Sequence, residues 1–367
     1  MVRAMDIQTA TADPRQLNGR GARSNETSRF DKEKRVFCDD GWGTREEDPP
    51  RLRTEVARDS SRSVITRNKS PDIAFDQSIN PYRGCEHGCV YCFARPTHAY
   101  LGLSPGLDFE SKLFAKPDAA KLLEAELSKP SYTPQVIALG TNTDPYQPIE
   151  REWRITRSIL QVLAAFKNPV AIVTKSPLIL RDLDILAPMA AEGLARAAIS
   201  ITTLDRELAR TMEPRAATPE RRLDAIRQLK AAGVPAGVMT APIIPALNDD
   251  EIETILLAAA EAGASGAGYV LLRLPLEIKE LFREWLEAHR PDTANRVMSL
   301  IRSMRNGKDY DSQWYLRQKG SGPYAAMIAQ RFAMAARRLG LNRDRWQLDT
   351  AKFRRPEDRK STRLNSS

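Results

Sequence analysis

Cys85, Cys89 and Cys92 carry the chemistry most plainly written in this chain. They lie within residues 79–95, Ile79-Asn-Pro-Tyr-Arg-Gly-Cys-Glu-His-Gly-Cys-Val-Tyr-Cys-Phe-Ala-Arg95, with the spacing Cys-x3-Cys-x2-Cys. Thiolates are metal ligands, and three so close in sequence can converge on one inorganic centre. Iron–sulfur cubanes are held by cysteine thiolates, usually four. With three local ones, one iron stays open to a non-protein ligand, and an open position marks a catalytic metal, as it does for zinc. Gly84 and Gly88 supply the backbone freedom a loop needs to wrap a compact object. Two other chemistries compete. A structural zinc site, with His87 as fourth ligand, takes two Cys or Cys/His pairs, and only one Cys-x2-Cys pair is present. Disulfides suit neither three clustered cysteines nor a chain without a visible secretory signal at Met1. His87 reads as a residue that packs beside the centre or hydrogen-bonds to it.

The motif, with Tyr91 in the aromatic slot of Cys-x3-Cys-x-aromatic-Cys, resembles the signature of the radical S-adenosylmethionine (radical SAM) superfamily. The wider wording, Gly84-Cys-x3-Cys-x-Tyr-Cys-Phe93, is similar to the branch that contains spore photoproduct lyase and DNA repair photolyase-like proteins. The resemblance spans about residues 70–340. It implies a [4Fe–4S] cluster on Cys85, Cys89 and Cys92, with SAM on the open iron. It implies reductive cleavage of SAM to a 5′-deoxyadenosyl radical that abstracts hydrogen from a substrate. An electron donor such as flavodoxin or ferredoxin and a lyase-type repair of a nucleic-acid lesion follow from the same resemblance. Spore photoproduct lyase returns a hydrogen atom from a cysteine downstream of its cluster. No cysteine follows Cys92 here, so the remaining thiol, Cys38, is either incidental or an alternative donor.

Elements able to position such a loop recur from about residue 70. Short β-branched runs alternate with amphipathic helical runs, the pattern of βα units on a parallel sheet. Strands are expected at 74–79, 135–140, 170–174, 197–202, 236–240 and 267–273. Helices are expected at 118–128, 151–166, 178–192, 205–212, 218–232 and up to 262, with Thr218 as an N-cap before Pro219. Six βα units predict a partial (β/α)6 barrel of TIM type, which is also the fold the resemblance implies. Helical additions follow at 277–289, 293–304 and 324–339. The cysteine loop, Asp144, Lys175, Ser200, Thr202, Asn248 and Arg273 all fall at strand exits, where barrels of this kind carry their active sites.

The resemblance places a lysine after the third strand and a serine on the fourth at the SAM carboxylate, which here are Lys175 and Ser200. Gly140 and Thr141 stand where many relatives carry Gly-Gly-Glu for the SAM amino group, and Asp144 supplies a carboxylate nearby or faces substrate. Tyr91 approaches the adenine. Arg273, ending an apolar strand in the mouth, needs a carboxylate or phosphate partner, on SAM or on substrate. His98 is a further candidate for the cavity.

The 367 residues carry a net charge of +9, unevenly placed. Residues 302–367 hold 16 Lys+Arg against 6 Asp+Glu, a basic end that can track phosphates or remain a solvated tail. Residues 1–70 read as a polar, largely disordered extension. Residues 71–276 read as the core, 277–342 as a helical extension and 343–367 as a basic disordered tail. No apolar run reaches 18 residues, so no membrane span is expected. Four cysteines, three in one motif, fit a reducing cytoplasm.

Overall fold

A computed structural model of the chain describes residues 20–32, 52–343 and 347–356. Six parallel strands form one sheet in sequential order: β1 (Gln77–Ile79), β2 (Ile137–Leu139), β3 (Val170–Thr174), β4 (Ala195–Ser200), β5 (Ala236–Ile243) and β6 (Gly266–Leu271). A two-residue strand, Thr66–Arg67, adds antiparallel to β1. Among the described residues nothing pairs β6 with the other edge, so the barrel is open along one side. The expected α/β partial barrel is therefore the observed architecture, and the third strand has the expected bounds.

The helices cover the outside of this sheet. Ile155–Ala165 buries Ile155, Ile159, Leu160 and Leu163, a helical-period stripe, in one core with Leu123 and Leu127 of Ala119–Ser128. Two expected helices are broken. The run from 151 to 166 splits at Arg154, whose φ is +48°, into Glu150–Trp153 and Ile155–Ala165. The buried Glu150 carboxylate takes the Thr156 N–H at 3.0 Å, satisfying a free donor at the second helix's start. The run from 178 to 192 begins as a 3-10 turn, Pro177–Asp182, capped by Ser176, before the helix Leu183–Ala191. Thr218 precedes Pro219–Ala231 with extended backbone, but its side chain makes no capping hydrogen bond to a backbone N–H.

A second, three-stranded sheet departs from the expectation. Lys112–Ala115 pairs parallel with Glu55–Arg58 and antiparallel with Tyr82–Arg83. It sits where the sequence suggests only a long connection, and it recruits part of the supposedly disordered first 70 residues. Residues 20–22 are also packed: the Gly21 and Ala22 N–H groups donate to the buried Glu110 carboxylate at 2.9 and 2.8 Å. A buried carboxylate needs such donors, which a reading of polarity alone does not foresee. The rest of the expected disorder, in 1–19, 33–51 and 357–367, lies outside the described residues.

The C-terminal region does two separate things. Residues 314–320 lie against β6, where a Cβ on Gly320 would meet Leu271, and reach Asp72, which Arg317 grips with two hydrogen bonds of 2.7 and 2.5 Å. This segment bridges the open side of the barrel. Residues 347–356 instead cover the opposite end from the strand exits. Lys352 donates to the Glu192 carbonyl, Arg355 to the Lys129 carbonyl, and Phe353 packs on Tyr132 and Phe166. These basic residues are engaged far from the mouth, against the expectation of a disordered tail over 343–367.

Candidate active site

The cysteine loop leaves β1 through Tyr82–Arg83 and is fixed from below by one arginine. Arg95 is fully buried and uses its whole donor fork. It donates to the carbonyls of Cys89 (2.9 Å), Gly88 (3.0 Å), Pro105 (3.1 Å) and Gly106 (2.9 Å), and pairs with Glu110 at 2.5 Å. A planar guanidinium suits such multidirectional bonding where an ammonium does not. Gly84 and Gly88 take φ values of +75° and +67°, the left-handed turns that let the loop double back. Gln147 spans the loop's start, donating to the Gly84 carbonyl and accepting from the Glu86 N–H.

The three thiols are free and stand close enough to feel one another's charge. Burial raises the Cys85 thiol, and Asp144, Cys89 and Cys92 raise it further. Burial pushes Cys89 up to about 12, against the pull of Lys175. Cys92 is also raised, first by burial, while the N–H groups of Ala94 and Arg95 favour its thiolate. Bare thiolates are thus disfavoured, and a positively charged metal centre is what would hold them ionised. Three thiols converging on one loop fit a cluster with three protein ligands. Among the described residues, no group of three or more His, Cys, Asp or Glu side chains is arranged to hold a single metal ion. His87 faces Asp144, Nδ1 to Oδ2 3.4 Å, a contact that ties the first cysteine gap to the β2 exit.

Asp144 is saturated by the protein. It accepts from the Thr174 hydroxyl (2.7 Å), the Lys175 N–H (2.8 Å) and the Tyr146 N–H (2.8 Å), besides facing His87. Burial works to raise its carboxyl, but His87, Thr174 and the Lys175 N–H outweigh it and hold it at about 2. It ties the end of β3 to the cysteine loop; it has no oxygen left idle for substrate. Gly140 is likewise accounted for by packing: a Cβ there would stand 1.9 Å from the Val173 carbonyl. Thr141 follows it, half-buried at the β2 exit.

Lys175, Ser200 and Tyr91 come together as the sequence suggests. Lys175 Nζ lies 3.2 Å from Ser200 Oγ and 5.8 Å from the centre of the Tyr91 ring. Behind them is a buried network that sequence reasoning missed. Glu213 accepts from the Tyr91 phenol, from Thr202 Oγ1 at 2.7 Å and from Arg222, which also donates to the Ser200 carbonyl at 3.0 Å. Burial acts to raise the Glu213 carboxyl, but Arg222 and Lys175 dominate and hold it at about 2. Burial likewise acts to lower Lys175, and Glu213 and Cys89 together keep it above its usual range. Glu213 thus orients the tyrosine hydroxyl and supplies the counter-charge that keeps Lys175 cationic. Asn248 braces the exits of β4 and β5, donating to the carbonyls of Thr202 and Pro242.

His98 and Arg273 stand apart from the Lys175, Ser200 and Tyr91 group. His98 is fully buried in the auxiliary sheet's core, edge-on to Phe109 and Phe114, with Nε2 2.9 Å from the Lys112 carbonyl. It packs instead of facing the cavity, because the turn at Gly84 brings the loop down onto its ring. Arg273 lies past β6 with its guanidinium carbon 4.7 Å from the centre of the Phe93 ring. Cys38 lies outside the described residues.

An open parallel barrel with a cysteine loop at the first strand's exit defines the class, and the comparisons agree. The sequence model of the Radical SAM superfamily matches residues 79–259. The chain belongs to the radical SAM superfamily, whose cofactors are a [4Fe–4S] cluster and S-adenosylmethionine. An uncharacterized protein of Mycobacterium tuberculosis (strain ATCC 25618 / H37Rv) is 40% identical over 240 residues, 64% of this chain and 71% of its own. An uncharacterized protein of Methanocaldococcus jannaschii is 26% identical over 239 residues, 65% of this chain and 85% of its own. Spore photoproduct lyase complexed with dinucleoside spore photoproduct superposes with a TM-score of 0.55 at 17% identity, covering 78% of this chain and 80% of that one. A mutant of spore photoproduct lyase with bound AdoMet and dinucleoside spore photoproduct gives a TM-score of 0.51 at 16% identity over the same shares. At such identities the likeness is one of fold. Among the described residues no helix is long and apolar enough to cross a membrane.

Proposed function

We propose that this chain is a radical SAM enzyme in which Cys85, Cys89 and Cys92 hold the cluster. The convergence of Lys175, Ser200 and Tyr91 beside that cysteine loop carries the reading. The bound cluster and SAM supply reductive cleavage of SAM to a 5′-deoxyadenosyl radical that takes a hydrogen atom from substrate. Lys175 and Ser200 bind the SAM carboxylate through an ammonium and a hydroxyl, and Tyr91, its phenol pinned by Glu213, orients the adenine. Gly140 and Thr141 offer backbone at the β2 exit for the amino group. Asp144 acts through others, fixing the Lys175 main chain and the cysteine loop. Burial of Cys85 and Cys89 excludes water from the centre, and Arg95 holds the loop carbonyls inward. The electron comes from a small reductant such as flavodoxin or ferredoxin, in a reducing cytoplasm.

A nucleic-acid lesion is the substrate this reading favours, in a lyase-type reaction, because the fold is shared with an enzyme complexed with dinucleoside spore photoproduct. With no cysteine after Cys92, the hydrogen returned to product comes from a different donor than in spore photoproduct lyase, or the substrate is an RNA, a peptide or a small molecule. The test is anaerobic reconstitution with iron and sulfide, reduction, addition of SAM and assay of 5′-deoxyadenosine, with Cys92→Ala beside the parent. Formation in the parent alone supports the reading; a zinc-loaded protein that never binds SAM would make the chain a metal-stabilised binding protein.

A further inference from the structure

SAM carries one carboxylate, yet the mouth offers two separate cations fit for an oxyanion. Lys175, with Ser200, stands at the ends of β3 and β4. Arg273 stands two residues past the end of β6. Two strands lie between β3 and β6, which sets the two strand exits roughly 14 Å apart along the sheet at ordinary strand spacing, and the two cations face different rings of the cysteine loop, Lys175 that of Tyr91 and Arg273 that of Phe93.

Arg273 has no acid partner of its own among the described residues. Its Nε is buried without a hydrogen bond, and its guanidinium sits over Phe93, which follows Cys92 directly and is 41% exposed. A guanidinium partly withdrawn from water and left unpaired is costly unless a ligand completes it. Its neighbour Arg305 adds to the positive field. Arg305 is buried and bound only to carbonyls, those of Leu272 and Leu316. Burial and the nearby Arg273 hold Arg305 down at about 10.

Arg305 also fixes what lies beside this charge. By joining Leu272 to Leu316 it sets the turn bearing Trp314 and Tyr315, which are 56% and 61% exposed, next to the β6 exit. Asp72 holds that turn from the other side, taking the Tyr315 N–H at 3.1 Å and the Arg317 fork. Exposed rings on a braced turn at the strand exit that bears the unpartnered Arg273 form the platform that single strands of nucleic acid use: phosphate meets the cation and bases stack on the rings. A peptide carboxylate would complete the guanidinium but leave the rings without a role.

The geometry points to a second oxyanion subsite, in which Arg273 over Phe93 takes a phosphodiester of a single-stranded nucleic acid whose bases stack on Trp314 and Tyr315. The assignment rests on the reading of this mouth as the SAM-dependent active site, and it names the part of the substrate that the β6 edge receives.

The experiment is anisotropy of a fluorescein-labelled single-stranded oligonucleotide titrated with the full chain across a salt series, with SAM affinity measured in parallel by equilibrium dialysis. Arg273→Gln is expected to weaken oligonucleotide binding about tenfold, the loss typical of one charged hydrogen bond, and to flatten the salt slope by about 0.7. Its SAM affinity should stay at the parent value, and Arg273→Lys should restore the salt slope. Trp314→Ala, at an exposed position that leaves the core intact, should weaken the oligonucleotide without altering the slope. No binding by the parent overturns the proposal. So does Arg273→Gln that weakens SAM instead, or an acidic peptide of matched charge that competes as well as the oligonucleotide. Because both affinities are read without turnover, failure here is distinct from failure to form 5′-deoxyadenosine.

Discussion

Glu213 and Lys175 divide the work of one charge pair between folding and binding. Lys175→Gln removes the ammonium expected to meet the SAM carboxylate. The account predicts at least a tenfold rise in the SAM dissociation constant, measured by equilibrium dialysis, with Ser200→Ala giving a smaller rise. Glu213→Ala should act first on stability. It leaves the Arg222 guanidinium, itself 2% exposed, buried without its carboxylate, which costs about 3–5 kcal/mol. Denaturant unfolding checks this, and unaltered stability would show that the guanidinium reaches water. Legibility in the sequence follows from spacing. Cys85, Cys89 and Cys92 fall within one short motif, and Lys175 and Ser200 sit at strand ends that the β-branched runs reveal. Glu213 lies after a short helix, not a strand, and its partners are Tyr91, 122 positions earlier, and Arg222, nine later. No local pattern joins those three. The same limit hid the roles of Arg95 and Glu110, although Arg95 closes the quoted motif.

At the scale of elements, the cysteine loop depends on an auxiliary sheet that the sequence does not announce, since its strands are two to four residues long and come from three distant places. Their shortness leaves too few residues for an alternation to be read. The loop's clamp gives a direct prediction. Glu110→Gln removes the charge partner of Arg95 and turns one of the two oxygens that hold the Gly21 and Ala22 N–H groups into an NH2 donor. Iron retained per chain after reconstitution should fall by more than half, with a lower melting temperature. Retention at the parent level would mean the loop keeps its shape without the pair. His98 teaches the complementary lesson. Its place just after the motif suggested the cavity, but the turn at Gly84 sends the following 3-10 segment, Arg95–Leu101, behind the loop.

The whole molecule is an open barrel held shut on one side by its own C-terminal extension. Asp72 and Arg317 form that closure across 245 residues of sequence. The Asp72 carboxyl is held below the usual range, first by its hydrogen bond from Arg317. A carboxylate with a depressed folded pKa contributes stability that is present above its unfolded value of about 3.9 and is lost as pH falls below that value. The account predicts that amides in 310–321 exchange faster as pH falls below about 4, after correction for intrinsic rates. In Asp72→Asn they should exchange fast already at neutral pH. Equal protection in parent and variant would contradict the closure. The order of βα units was readable because the strands after the first are short, mostly apolar runs that alternate with helical ones. The closure was not, because it joins two polar stretches whose only signal is opposite charge.

The most direct measurement is of 5′-deoxyadenosine released from SAM by the anaerobically reconstituted, reduced protein. The account predicts release by the parent chain and none by Cys92→Ala, with Lys175→Gln slowed chiefly through weaker SAM binding. Equal release by the parent and Cys92→Ala would contradict the assignment of the cluster to this loop. A cluster-loaded parent that leaves SAM intact would contradict the proposed chemistry.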